Sequence, residues 1–115
     1  MKVKTINIPI YFGHFRIVVC DNLKSAAEKL NVNTEGINLD NYGAFAYSDR
    51  NKKGFARYSI FLHQDTGHGL IAHEAVHLTN FIFRDVCMEL DKINDEAQAY
   101  LTGWFVEQIY KVIKK

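Results

Sequence analysis

The chain changes hydrophobic period near its midpoint, and this change does most to restrict its fold. Up to about His63 the chain holds every segment whose apolar residues recur at each second position, and beyond Gly69 they recur only every three or four. Ile6, Ile8, Ile10 and Phe12 alternate with Thr5, Asn7, Pro9 and Tyr11, which predicts a strand from about Val3 to Phe12. It carries the chain's only proline, so an edge or irregular position is expected. Gly13 and His14 form a short turn into a second strand, Phe15–Cys20, its expected hairpin partner. Gly43–Ser48 and Phe55–His63 read as two further strands around the polar turn Asp49–Gly54.

Three segments read as helices. Leu23, Ala26, Ala27 and Leu30 are spaced i, i+3, i+4, i+7 behind Asp21 or Asn22 as cap. Asn31 to Asn41 is rich in turn formers and reads as loop. A helix over about Gly69 to Val86, capped by Asp65 or Thr66, carries the stripe Ile71, Ala75, Leu78, Ile82 and Val86. The last helix starts near Asn94 and buries Ala97, Leu101, Trp104, Phe105, Ile109 and Val112. Lys111, Lys114 and Lys115 suit the negative end of its dipole. The expected architecture is α+β: a mostly antiparallel four-stranded sheet with one helix, then two helices, in one domain over residues 1–115.

Composition narrows the function. Fourteen Lys plus Arg against thirteen Asp plus Glu give a charge of +1, which is no footprint for nucleic acid. No apolar run approaches the roughly 18 residues of a membrane span. The alternation from Ile6 to Phe12, with no small-residue cleavage site after it, argues against a signal peptide. Cys20 and Cys87 are too few for a disulfide scaffold, though one bridge between them stays open. A cytoplasmic setting is the expectation.

Chemistry concentrates in His73-Glu74-Ala75-Val76-His77, an H-E-x-x-H pattern inside the expected helix. Histidines four apart lie one above the other on a helix, so both imidazoles reach a single ion. Zinc accepts neutral imidazole nitrogen at about 2.0–2.1 Å in a tetrahedral shell. Glu74 is then no ligand but a general base, taking the proton of the attacking water. His14, His63 and His68 read as ordinary strand, turn or surface residues.

With this motif, the phrase Asn94-Asp95-Glu96-Ala97 on the last helix resembles the ligand helix of the gluzincins, zinc metallopeptidases whose third ligand is a downstream glutamate. The similarity runs from about Gly43 to Tyr110, and the size is similar to that of minimal single-domain zincins of phage and prophage type. The resemblance implies Zn²⁺ held by His73, His77 and Glu96, and hydrolysis of a peptide or protein substrate. It also implies an edge strand, here Gly43–Ser48, along which an extended peptide lies.

Beside it, the residues keep some alternatives. Asp95 rivals Glu96 as ligand, although Glu96 shares a helical face with Tyr100, Gly103 and Glu107. Tyr100 is a candidate donor to an oxyanion, or a packing tyrosine. It also occupies the position where thermolysin-like enzymes often carry an Asp that orients the first histidine, so that role passes to Asp95, Asn80 or a backbone carbonyl. The metzincin third histidine is absent, Phe83 standing in its place. Two other classes remain: a zinc-binding scaffold without turnover, its cleft crossed by the tail from Lys111, and an interaction protein without metal.

Overall fold

The first strand stops earlier than its alternation suggests. In the computed structural model, which describes residues 1–113, β1 spans Lys2–Asn7 and β2 spans His14–Val19. Between them Pro9 has no N–H to give a ladder, and Ile10 turns the chain with φ of 69°. The Ile8 N–H instead reaches the Gly13 carbonyl at 3.2 Å. Gly13 has φ of 114°, and a Cβ there would lie 2.8 Å from the Ala56 carbonyl oxygen, so no other residue fits.

The chain continues through α1 (Leu23–Lys29), β3 (Ala44–Arg50), β4 (Ala56–Leu62), α2 (His68–Asp85) and α3 (Glu96–Ile113). A short 3₁₀ turn, Leu39–Asn41, interrupts the expected loop. The sheet order is β1-β2-β4-β3. β1/β2 and β3/β4 are antiparallel, but β2 and β4 run parallel, with Val19 opposite Leu62. The sheet is therefore mixed. The reason lies in the β3/β4 hairpin: Tyr58–Leu62 is buried throughout, whereas β3 carries Ser48, Asp49 and Arg50. The doubly buried strand takes the centre and the polar one the edge.

Both faces of the sheet are covered. Phe15, Ile17, Val19, Tyr58, Ile60 and Leu62 pack under α2 and α3. Val18, Cys20, Phe45 and Phe61 pack with α1, Val32 and Leu39. Asn22 caps α1, its Oδ1 accepting from the Ser25 N–H at 2.9 Å. Neither expected residue caps α2, which begins after Gly67. Thr66 is committed elsewhere: its hydroxyl accepts from the His63 N–H and donates to the Gly43 carbonyl, tying β4 to the start of β3. Asp95, not Asn94, precedes the first turn of α3, its carbonyl accepting from the Ala99 N–H at 2.9 Å. Val86 and Ala97 are exposed and leave the expected apolar stripes.

The two long helices are antiparallel. The Thr79 and Thr102 hydroxyls meet at 2.8 Å, and His68 near the start of α2 bonds Tyr110 near the end of α3. Lys111 lies in the last turn of α3, and Lys114 and Lys115 lie outside the described residues. Cys20 and Cys87 are free thiols. Among the described residues no helix is long and apolar enough to cross a membrane.

Candidate metal centre

The burial of α2 sets the orientation of its polar residues. Ile71, Ala75, Leu78 and Ile82 are fully buried against the sheet. At about 100° per residue, His73 and His77 then fall on the opposite, solvent-facing flank, and Glu74 falls toward β3. The structure follows this: both histidines are exposed, and Glu74 is 7% exposed.

The Nε2 atoms of His73 and His77 are 3.1 Å apart, with the rings at 75°. Two nitrogens bound to one tetrahedral zinc at about 2.05 Å stand about 3.3 Å apart, so the pair is already spaced for a shared ion. Potential ligand atoms of His73, Glu74 and His77 lie within 4.8 Å of one another. Glu74 Oε2 is buried without a hydrogen-bond partner. Such an orphan costs about 1–3 kcal/mol unless an ion or a water satisfies it. Burial pushes the Glu74 carboxyl above its ordinary value, opposed by His77, His73 and the Ala46 backbone N–H. The residues present fit a borderline-soft divalent ion.

Beside this group is a cavity of about 270 Å³ whose walls include Glu74, His77, Ile37, Tyr42, Tyr47 and Phe81. Tyr47 lies on β3, an edge strand as expected. Ala44 is buried, and a Cβ on Gly43 would lie 2.8 Å from Leu70 Cδ2, the far end of a side chain in the first turn of α2.

Two other expected site residues are not in this group. Glu96 is exposed at the first residue of α3 and is not part of the His73–Glu74–His77 group. Because Thr102 meets Thr79 in an antiparallel pair, Glu96 lies toward the C-terminal end of α2, about 9 Å along α3 from that contact. Tyr100 is 76% exposed and lines a separate groove with Pro9, Tyr11 and Trp104. Asp95 stands before α3, and Asn80 Oδ1 is buried without a partner. The remaining histidines have local partners: His14 with Asn7 Oδ1, His63 with the Cys20 carbonyl, His68 with Tyr110.

The cavity walls were not marked in the sequence. In a turn-rich stretch only the scattered apolar residues Val32, Ile37 and Leu39 hint that this loop folds back over β3. Comparison with protein-family models, with curated proteins and with solved structures finds no match.

Proposed function

We propose that this chain is a zinc-dependent metallopeptidase acting on a peptide or protein substrate. The observation that carries the reading is the paired His73 and His77 Nε2 atoms at 3.1 Å with an orphaned, buried Glu74 oxygen beside them. Bound zinc would supply a Lewis acid for the scissile carbonyl and lower the pKa of a water to about 7. His73 and His77 would hold it as neutral imidazoles. Glu74 takes the proton of the attacking water and delivers it to the leaving amine; burial, which raises its proton affinity, suits both halves of that task. The cavity walled by Tyr42, Tyr47 and Phe81 opens beside Glu74 and accommodates a substrate side chain.

The third protein ligand proposed from the gluzincin resemblance is Glu96. Tyr100 has no step here, because its groove shares no wall with the cavity at Glu74. A second reading, a metal-binding scaffold without turnover, draws on the separation of Glu96 from the histidine pair. Metal analysis of protein purified without added metal tests the site. The proposal expects close to one equivalent of zinc, lost in His73→Ala and in His77→Ala. Full occupancy in the double variant would refute it.

A further inference from the structure

We propose that one end of the molecule, around a groove that shares no wall with the cavity beside Glu74, is a docking surface for a basic protein segment bearing large apolar anchors. Three pieces of chain meet there: the β1–β2 loop, the α2–α3 connection and the first half of α3. Tyr11 joins the first two, its hydroxyl 3.9 Å from Met88 Sδ and its ring beside Phe83. A groove of about 550 Å³ joins the loop to α3, lined by Pro9, Ile10, Tyr11, Tyr100, Gly103 and Trp104.

These segments expose an unusual number of apolar side chains. Ile10 is 96% exposed and Ile93 is 98% exposed, and Phe12, Met88, Leu90 and Tyr100 are also open to solvent. Single exposed apolar residues need no explanation, but Ile10 and Tyr100 wall one groove with Tyr11 and Trp104, and Tyr11 reaches Met88; such a grouping marks an interaction site. Ile10 adds a second observation. A β-branched residue in the left-handed region is sterically disfavoured, yet here that conformation directs the side chain into water. The groove floor is also open at Gly103, where an added Cβ would meet no heavy atom within 4 Å.

Charge selects the occupant. The α2–α3 connection and the first half of α3 carry, besides Glu96, the acids Glu89, Asp91, Asp95 and Glu107 against the single base Lys92, in a chain that otherwise has more bases than acids. Glu107 lines the groove itself. Acidic segments that meet at an apolar groove complement a basic, apolar-anchored segment. The same charge repels an anionic bilayer and would face itself across a dimer of this chain.

Trp104 is the only tryptophan and lines the groove, so its emission reads occupancy directly. The probes are two sets of amphipathic peptides with identical Leu, Phe and Met anchors, one with Lys and one with Glu at the polar positions. Titrated into the full chain, the best Lys peptide is expected to shift Trp104 emission saturably. It should bind at least about 10-fold tighter than its Glu counterpart and weaken several-fold between about 50 mM and about 500 mM salt. Gly103→Leu, which fills the groove, and Glu107→Lys, which reverses its charge, should each weaken binding about 10-fold or more with the circular dichroism spectrum unchanged. If Gly103→Leu fails to fold, Glu107→Lys alone decides. No saturable shift with any Lys peptide, equal binding of the two sets, or full affinity in Glu107→Lys would overturn the proposal. So would a concentration-dependent dimer in sedimentation, or preferential binding to phosphatidylserine vesicles.

Discussion

The Tyr58 hydroxyl donates to Asp85 Oδ2 at 2.6 Å, joining the central strand β4 to the last residue of α2. Tyr58 is otherwise buried in the core, so this bond satisfies its one polar atom and anchors the helix that carries the histidine pair. Burial and the Asp85 carboxylate together push the phenol well above its ordinary value. Asp85 is held below the usual carboxylate range: burial opposes ionisation, but hydrogen bonds from Tyr58 and Arg84 outweigh it.

Tyr58→Phe should therefore destabilise the fold, by about 1 kcal/mol after allowing for the partial exposure of Asp85. The pH dependence follows from the sign of the Asp85 shift. A carboxyl whose folded pKa is depressed stabilises above its unfolded value, near pH 4, and loses that contribution as pH falls through the folded pKa. Urea melts of wild type and Tyr58→Phe should thus differ at pH 6 and converge only as the pH falls below the ordinary carboxylate range. A gap that stays constant over that range would mean that the bond does not depend on the carboxylate.

Two glycines should respond to alanine in opposite directions. Gly13 combines a positive φ with a backbone oxygen 2.8 Å from its would-be Cβ, so Gly13→Ala should lower Tm by about 4 °C or more. Gly103 is mid-helix with open space around it, and Gly103→Ala should gain up to about 1 kcal/mol. Calorimetry on the two variants checks both. A stabilised Gly13→Ala would contradict the account of the β1–β2 turn.

Much of this fold is legible in the sequence because burial is periodic. The turn at Gly13–His14 places β2, alternation places β4, and the Ile71–Ile82 stripe both identifies α2 and sets His73 and His77 on its open flank. What periodicity does not encode is which element lies alongside which. The parallel β2/β4 pair arises because β4 outcompetes β3 for the centre, a comparison between strands that neither strand's pattern contains. Ile10 and Phe12 continue the alternation perfectly and still lie outside the sheet, because Pro9 ends the ladder first. Tyr100, Gly103 and Glu107 do share a face, but it lines a groove with Pro9–Tyr11, a neighbour that the spacing along α3 does not encode.

The third ligand is open to a direct comparison. Under the gluzincin resemblance, Glu96→Ala should lower zinc affinity strongly, and Asp95→Ala should change it by about 10–100-fold at most. Competition with a chromophoric chelator measures both. Loss of zinc in Asp95→Ala with retention in Glu96→Ala would reverse the assignment, and retention in both would remove α3 from the site.

The central claim is that Glu74 serves as the base of a peptidase. Glu74→Gln preserves volume and removes the carboxylate, so zinc content and melting temperature should match wild type. Hydrolysis of a quenched peptide library should fall by about 10²–10⁴-fold, the usual span for a lost general acid–base group. The decisive measurement is that rate ratio at equal zinc loading. A large ratio is the result this account predicts, and equal rates in the two proteins, or no hydrolysis by zinc-loaded wild type, would contradict it.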